Sequence, residues 1–203
     1  TTTGSMTEDD GTSPSGALTI SDADDGGSPS FADVTSTATA SGYGTYTLTS
    51  GTWTFTQGAN MQGLDASESA SDTFTVTATD NSAQTVTITL TGANDASAIA
   101  GTSTGSMTED DGTTPSGTLT ISDADDGQTP TITAVSTATA TSAGYGTYTV
   151  SSAGVWTYTQ GANMQGLDAS ESASDTFSVA ASDGSTQTVT ITLTGANDAS
   201  AIA

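Results

Sequence analysis

The 203-residue chain has no lysine, arginine or histidine, against 23 aspartates and glutamates. No acid has a cationic side chain to pair with, and the formal net charge is -23. Repulsion on that scale opposes compaction, so salt, divalent cations or a basic partner must screen it. The same absence excludes nucleic acid, whose phosphates are held by Lys and Arg. It also excludes attraction to an anionic membrane surface. Cysteine is missing too. That rules out disulfides and thiolate metal sites and leaves oxygen-ligated cations as the available cross-link. Without His, Cys or Lys there is no ordinary general base or nucleophile. Paired carboxylates alone could hydrolyse a glycoside, but duplication of the whole unit fits a spacer better than a catalyst, and no small-molecule substrate is expected. Aromatics make up 5% of the chain and hydrophobic residues 33%, so any core is lean. No apolar run approaches the ~20 residues that span a bilayer, so no membrane insertion is expected. No signal peptide is visible either, and the chain reads as an internal excerpt.

What is present is ordered in two ways. First, the chain repeats itself. Gly4–Thr12 recurs unchanged at Gly105–Thr113, Gln57–Phe74 at Gln160–Phe177, and Gln84–Ala100 at Gln187–Ala203. Extra residues of the second copy fall beside Gly144 and Gly154, as expected of turns. The predicted domains are 1–96 and 97–203, with a linker over about 92–101. Second, apolar residues alternate with threonine. Thr85-Val86-Thr87-Ile88-Thr89-Leu90-Thr91 is the cleanest run; Tyr46/Leu48, Trp53/Phe55 and Phe74/Val76 follow the same rule. Period two with β-branched residues on the outer face signals half-buried strands. About seven strands per unit are expected, near 3–8, 16–21, 31–39, 43–50, 52–57, 72–79 and 84–91, with a tight hairpin at Ser50-Gly51. The fold class is all-β: two tandem antiparallel Greek-key sandwiches of immunoglobulin-like size. The stretch Ala59–Ser71 breaks the alternation. Asp65 followed by Glu68 could cap a helical turn there.

The acids cluster at predicted strand ends. The first copy has Glu8, Asp22/Asp24, Asp65/Glu68, Asp80 and Asn94/Asp95; the second has Glu109, Asp123/Asp125, Asp168/Glu171, Asp183 and Asn197/Asp198. Calcium takes six to eight oxygens from such groups. The rival reading is that Asp and Gly simply make good turns. Following strand directions through a sandwich, Glu8, Asp65, Glu68, Asn94 and Asp95 converge on Asp123, Asp125 and Asp183, with charge enough for about three Ca²⁺. Asp22, Asp24 and Asp80 would form a half-site at the N-terminal end, and Glu109, Asp168, Glu171, Asn197 and Asp198 one at the C-terminal end.

Asp-Ala-Asp-Asp-Gly after a strand, Leu64-Asp65 with Glu68, Thr77-Ala78-Thr79-Asp80 and Asn94-Asp95 stand in the order found in cadherins. With Thr-Glu-Asp near the start, Tyr-Gly-Thr-Tyr-Thr, Trp-Thr-Phe-Thr, Asp-Thr-Phe-Thr-Val and Gln-Thr-Val-Thr-Ile-Thr-Leu-Thr-Gly-Ala-Asn-Asp, each unit resembles the VCBS or cadherin-like repeats of giant RTX-type bacterial adhesins. That resemblance implies a stalk module, Ca²⁺ at a calcium-binding linker, neighbouring repeats as partners through Ca²⁺, and a place on the cell surface after type I secretion. It matches Glu8 to the early acidic ligand, Asp123 and Asp125 to the paired acids, Asp183 to the acid after Ala-Ser, and Asn94/Asp95 to the linker pair. The sequence departs from cadherins in spacing Asp65 and Glu68 by three, and in having Ala96-Ser97 where Asn and Pro usually follow. The alternative is a carbohydrate- or ice-binding module, using Trp53, Tyr43 and Tyr46 or the threonine rows. A tryptophan in an alternating strand is more often core.

Overall fold

A computed structural model of the chain describes every residue except Asp25 and Ser200–Ala203. Two compact units emerge: Thr1–Asp95 with Ala124–Gly127, and Ala96–Asp123 with the chain from Gln128 on. Each is all-β.

In the first unit, β1 (Thr3–Thr7), β7 (Ala83–Thr91) and β6 (Ser69–Thr77) form one sheet in the order β1-β7-β6. The facing sheet is β2-β5-β4-β3, from β2 (Ser15–Ala17), β3 (Val34–Ala38), β4 (Gly44–Thr49) and β5 (Thr52–Gln57). The apolar members of each alternating run, Leu48, Trp53, Phe55, Phe74, Val76, Val86, Ile88 and Leu90, are buried between the sheets. Phe74 stacks on Tyr46 with centroids 4.1 Å apart and meets Trp53 edge-on at 5.8 Å. The Ser50-Gly51 hairpin is present, with φ of 48° and 76°, the doubly left-handed turn that matches strand twist.

The second unit repeats this with β9 (Thr104–Thr108), β10 (Ser116–Ser122), β11 (Val135–Ala140), β12 (Gly146–Val150), β13 (Val155–Gln160), β14 (Ser172–Ala180) and β15 (Thr186–Thr194). A further strand, β8 (Ala98–Gly101), joins its larger sheet, β11-β12-β13-β10-β8.

Three details differ from the sequence expectation. The first strand of each unit runs parallel to the last, Met6 opposite Leu90 and Met107 opposite Leu193, while other pairings are antiparallel. The helical turn is a 3-10 turn at Ala59–Gly63, repeated at Ala162–Gly166, and lies before Asp65, so Asp65 caps no helix. The strand expected over 16–21 covers only Ser15–Ala17 in the first unit but Ser116–Ser122 in the second.

Glycine is required where Trp53 lies flat against β2. A Cβ on Gly16 would stand 2.8 Å from the indole. Gly16→Ala should therefore cost about 1–3 kcal/mol through overpacking, read as a lowered denaturant midpoint with the slope unchanged.

Candidate functional site

The parallel pairing of β1 with β7 sets Glu8 beside the end of β7, although 85 residues separate it from Ala93. The Glu8 N–H donates to the Thr91 carbonyl at 2.9 Å, and the Ala93 N–H donates to Glu8 Oε2 at 3.1 Å. Glu8 is 2% exposed, and its Oε1 is buried with no hydrogen-bond partner. Burial pushes its carboxyl above the usual range; the Ala93 N–H pulls the other way, and the charges of Asp95, Asp9 and Asp125 push it up further. Gly92 makes this approach possible. A Cβ there would sit 2.3 Å from the carbonyl oxygens of Leu64 and Asp65, and its N–H donates to Glu68 O at 2.9 Å.

The rest of the first unit's acids divide sharply. Asp95 donates its N–H to Asp125 Oδ2 at 3.1 Å, its own Oδ2 is buried without a partner, and Asp125 is buried. Asp126 ties the 124–127 segment down through its N–H to Gly63 O at 3.0 Å. Asp65 is half-buried and Glu68 exposed; Glu68 Oε2 accepts the Asp65 N–H at 3.2 Å. Asn94 is exposed, its Nδ2 donating to Asp95 O at 2.6 Å. Asp22, Asp24 and Asp80 are exposed and serve local turns. Asp22 Oδ1 accepts from Asp24 N–H at 2.9 Å, and Asp80 Oδ1 from Ser82 N–H at 2.9 Å. The Ser82 hydroxyl and N–H hold Asp80 below the usual carboxylate range.

The second unit reproduces the glutamate. Glu109 is 2% exposed, accepts the Ala196 N–H on Oε2 at 2.9 Å, and has Oε1 buried without a partner. Around it Asp168, Glu171, Asn197 and Asp198 are exposed; Glu171 Oε2 accepts the Asp168 N–H at 3.0 Å. Elsewhere in this unit Asp183 accepts the Ser97 N–H on Oδ2 and the Ser185 N–H on Oδ1, both at 2.9 Å. Those two donors hold its carboxyl far below the ordinary value. Asp123 is half-buried. Ser97 is buried with an unpartnered Oγ. Among the described residues, no three or more acids stand together at metal-binding spacing. Within the first unit Glu8, Asp95 and Asp125 are neighbours; within the second, Asp183 adjoins Ser97.

Two further acids were not among the expected site residues. Asp72 and Asp175 are fully buried. Asp72 accepts the Thr39 hydroxyl and the N–H groups of Ser41, Tyr43 and Thr73, the last three at 2.7–2.9 Å. Burial raises its pKa, but these donors outweigh it and leave the group below the ordinary value. Asp175 holds Thr141, Ala143, Tyr145 and Thr176 in the same way and takes the Tyr158 hydroxyl at 3.2 Å. The sequence signal was there. Asp72 occupies a core position in the register Ala70, Asp72, Phe74, Val76.

The tryptophans are core: Trp53 and Trp156 are both 0% exposed, so neither offers a sugar-stacking face.

The sequence model of the bacterial cadherin-like domain matches residues 94–195, half of the chain. The chain belongs to the bacterial cadherin-like domain family. No curated protein matches this cadherin-like chain. Solved structures similar to it are cadherin ectodomains. Mouse cadherin-23 EC22–24 is 15% identical, with 95% of this chain and 62% of that one covered and a TM-score of 0.41. Protocadherin gamma B2 domains 3–6 is 14% identical, with 95% and 44% covered and a TM-score of 0.45. Drosophila N-cadherin EC1–4 is 8% identical, with 88% and 44% covered and a TM-score of 0.38. The chain thus spans less than two thirds of each of these. A cadherin-like domain is an adhesion-type or structural module rather than an enzyme, and such domains generally bind calcium at linkers between repeats. Among the described residues, no helix is long and apolar enough to cross a membrane.

Proposed function

We propose that the chain is a stalk element of a large secreted bacterial surface adhesin of the RTX type, exported by type I secretion and stiffened by Ca²⁺ at its linker. The observation that carries this reading is the pair Glu8 and Glu109. Each is a buried carboxylate with one oxygen lacking any donor, in a chain without a single cationic side chain. A buried charge left unpaired is costly, and a divalent cation is the neutraliser that this residue set can bind.

The donor set fits calcium. It consists of hard oxygens, from Glu8, Asp95 and Asp125 in the first unit and from Asp123, Asp183 and the Ser97 hydroxyl in the second, with Asp65, Glu68 and Asn94 as further oxygens from the linker end. Glu109, with Asp168, Glu171, Asn197 and Asp198, would serve the next linker; Asp22, Asp24 and Asp80 the preceding one. A bound ion would cancel like-charge repulsion and cross-link segments distant in sequence. Extracellular modules bind Ca²⁺ with Kd of about 10⁻⁴–10⁻³ M, so such sites stay largely empty in cytosol and fill outside. The partners are then neighbouring repeats, and the two tandem domains, divided near residue 96, act as spacers.

Glu8→Gln tests this with a change of sign. In chelator, Gln removes a buried charge whose pKa is raised by burial, so the variant should melt no lower than wild type. In excess calcium Gln removes a ligand, so the variant should melt lower and titrate with weaker affinity. The pH slope follows the same logic. In chelator, the raised folded-state pKa means that stability is fully present below the unfolded carboxylate value and is lost as pH rises through the folded value. In calcium the slope reverses, because protons compete with the ion. Equal effects of Glu8→Gln in the two conditions would refute the assignment.

A further inference from the structure

Glu8 is the first of three consecutive acids, Glu8-Asp9-Asp10, and the run recurs as Glu109-Asp110-Asp111. The three do different things. Glu8 is the buried carboxylate with an oxygen lacking any partner. Asp10 closes its own turn, with Oδ2 accepting the Thr7 N–H at 3.2 Å and Oδ1 the Thr12 N–H at 2.7 Å. Asp9 is exposed, yet its side chain is committed to the opposite layer. Gln57 Nε2 and Gln62 Nε2 donate to Asp9 Oδ1 at 3.2 and 2.9 Å, and the Asp9 N–H donates to Gln57 Oε1 at 3.2 Å. The second unit repeats the grip. Gln160 Nε2 and Gln165 Nε2 donate to Asp110 Oδ1 at 3.3 and 2.8 Å, and the Asp110 N–H donates to Gln160 Oε1 at 3.3 Å. Asp9 and Asp110 stand at φ of 54° and 56°, a left-handed conformation that glycine adopts freely and a side chain disfavours. The turn itself is closed by Asp10, so it does not explain why an aspartate with this grip stands beside the buried glutamate.

We infer that Asp9 and Asp110 are positioning residues: each is gripped by two glutamine amides, which hold the neighbouring glutamate inward on its backbone contact and keep the gripped carboxylate itself out of the ligand set. The inference rests on the calcium reading above and adds to it the parts that orient its central ligand. The anchors are firm. Gln57 ends β5, and Gln62 lies in the 3-10 turn whose Met61 is 0% exposed. That turn runs within three residues into Asp65, so the grip also ties the strand end carrying Glu8 to the segment carrying Asp65 and Glu68. Outer partners that orient a ligand matter to metal affinity nearly as much as the ligand does. Lys or Arg would be the usual partner for such a carboxylate. This chain has neither, and primary amides are the remaining side-chain N–H donors that can reach it.

Asp9→Gly, Asp9→Asn and Gln62→Ala in the full chain test it, with Asp110 intact in each as an internal control. Hydrogen exchange in chelator reads the position of Glu8 through the Ala93 amide, which donates to its Oε2. That amide should exchange about tenfold faster or more in Asp9→Gly and Gln62→Ala, while Ala196, bonded to Glu109, keeps its wild-type rate and reports an intact fold. A calcium titration of the same two variants should show affinity about 10–100-fold weaker at the altered site. Asp9→Asn keeps an acceptor oxygen for both amides and removes only an exposed charge, so it should stay within about fivefold of wild type. Asp9→Gly also relieves the left-handed backbone, so an aspartate present for the turn alone would leave Ala93 as protected as before; that result overturns the proposal. So does a calcium affinity of Asp9→Gly equal to that of Asp9→Asn. A wild-type chain that binds no calcium refutes the calcium reading instead, and the Ala93 exchange in chelator then decides the positioning role by itself.

Discussion

Asp72→Ala is expected to cost the first unit about 3–5 kcal/mol, the range for breaking a buried, hydrogen-bonded charge site. The carboxylate gathers the Thr39 hydroxyl and three backbone N–H groups from Ser41, Tyr43 and Thr73. Truncation takes the shared acceptor from the part-buried N–H groups of Ser41, Tyr43 and Thr73, at about 1–3 kcal/mol each before relaxation, while the Thr39 hydroxyl keeps the Gly44 carbonyl at 2.9 Å. It also releases the loop between β3 and β4, which Asp72 pins to β6. Against a total domain stability of about 5–15 kcal/mol, that is a large share. Asp72→Asn should be milder, because one acceptor oxygen survives while the new NH2 faces donors. Calorimetry of the full chain should show one endotherm moving down and the other, belonging to the unit held by Asp175, staying near its place. Acid should act in the same direction. The folded-state pKa of Asp72 is depressed, so its contribution is present above the unfolded value and lost as pH falls through the folded value. A loss under about 1 kcal/mol for Asp72→Ala would show that water replaces the carboxylate and that the clamp is dispensable.

Removing calcium is expected to lower the melting temperature of the wild-type chain by roughly 10–20 °C at a hundredfold excess of ion over Kd. One site that binds only the folded state contributes about 2.7 kcal/mol at that excess, and each kcal/mol moves a domain of this size by about 4–8 °C. Two opposing effects decide whether the shift is seen. Monovalent salt also screens a net charge of -23, so high salt should shrink the part due to general repulsion. It should leave the part due to Glu8 and Glu109, because a buried oxygen is poorly screened. The measurement is therefore a melt in calcium and in chelator at low and at high salt. A shift that vanishes in high salt would mean that calcium acts only as a diffuse counterion.

Much of the architecture was legible in the residue order. Alternation of apolar residues with threonine is a local property, so strands such as β4, β5 and β7 lie where period two sets them. The Ser50-Gly51 turn was legible for the same reason. The acidic composition pointed to a cation requirement, because no folding pathway can create a positive side chain. The candidate site was legible only in outline. Asp22 and Asp80 match the bland expectation that such acids make turns, since a carboxylate two residues before a free N–H can satisfy it locally. Glu8 sits in an equally ordinary Glu-Asp-Asp run, yet it is buried.

The sequence by itself determined the β-class, the duplication and the charge, all of which depend on neighbours along the chain. Tertiary structure alone decided that Glu8 is buried against the Ala93 N–H with its other oxygen unpartnered, and that Asp72 turns inward to hold a distant loop. Each of these is a pairing between segments far apart in sequence. Neither periodicity nor composition encodes which distant donor a carboxylate meets.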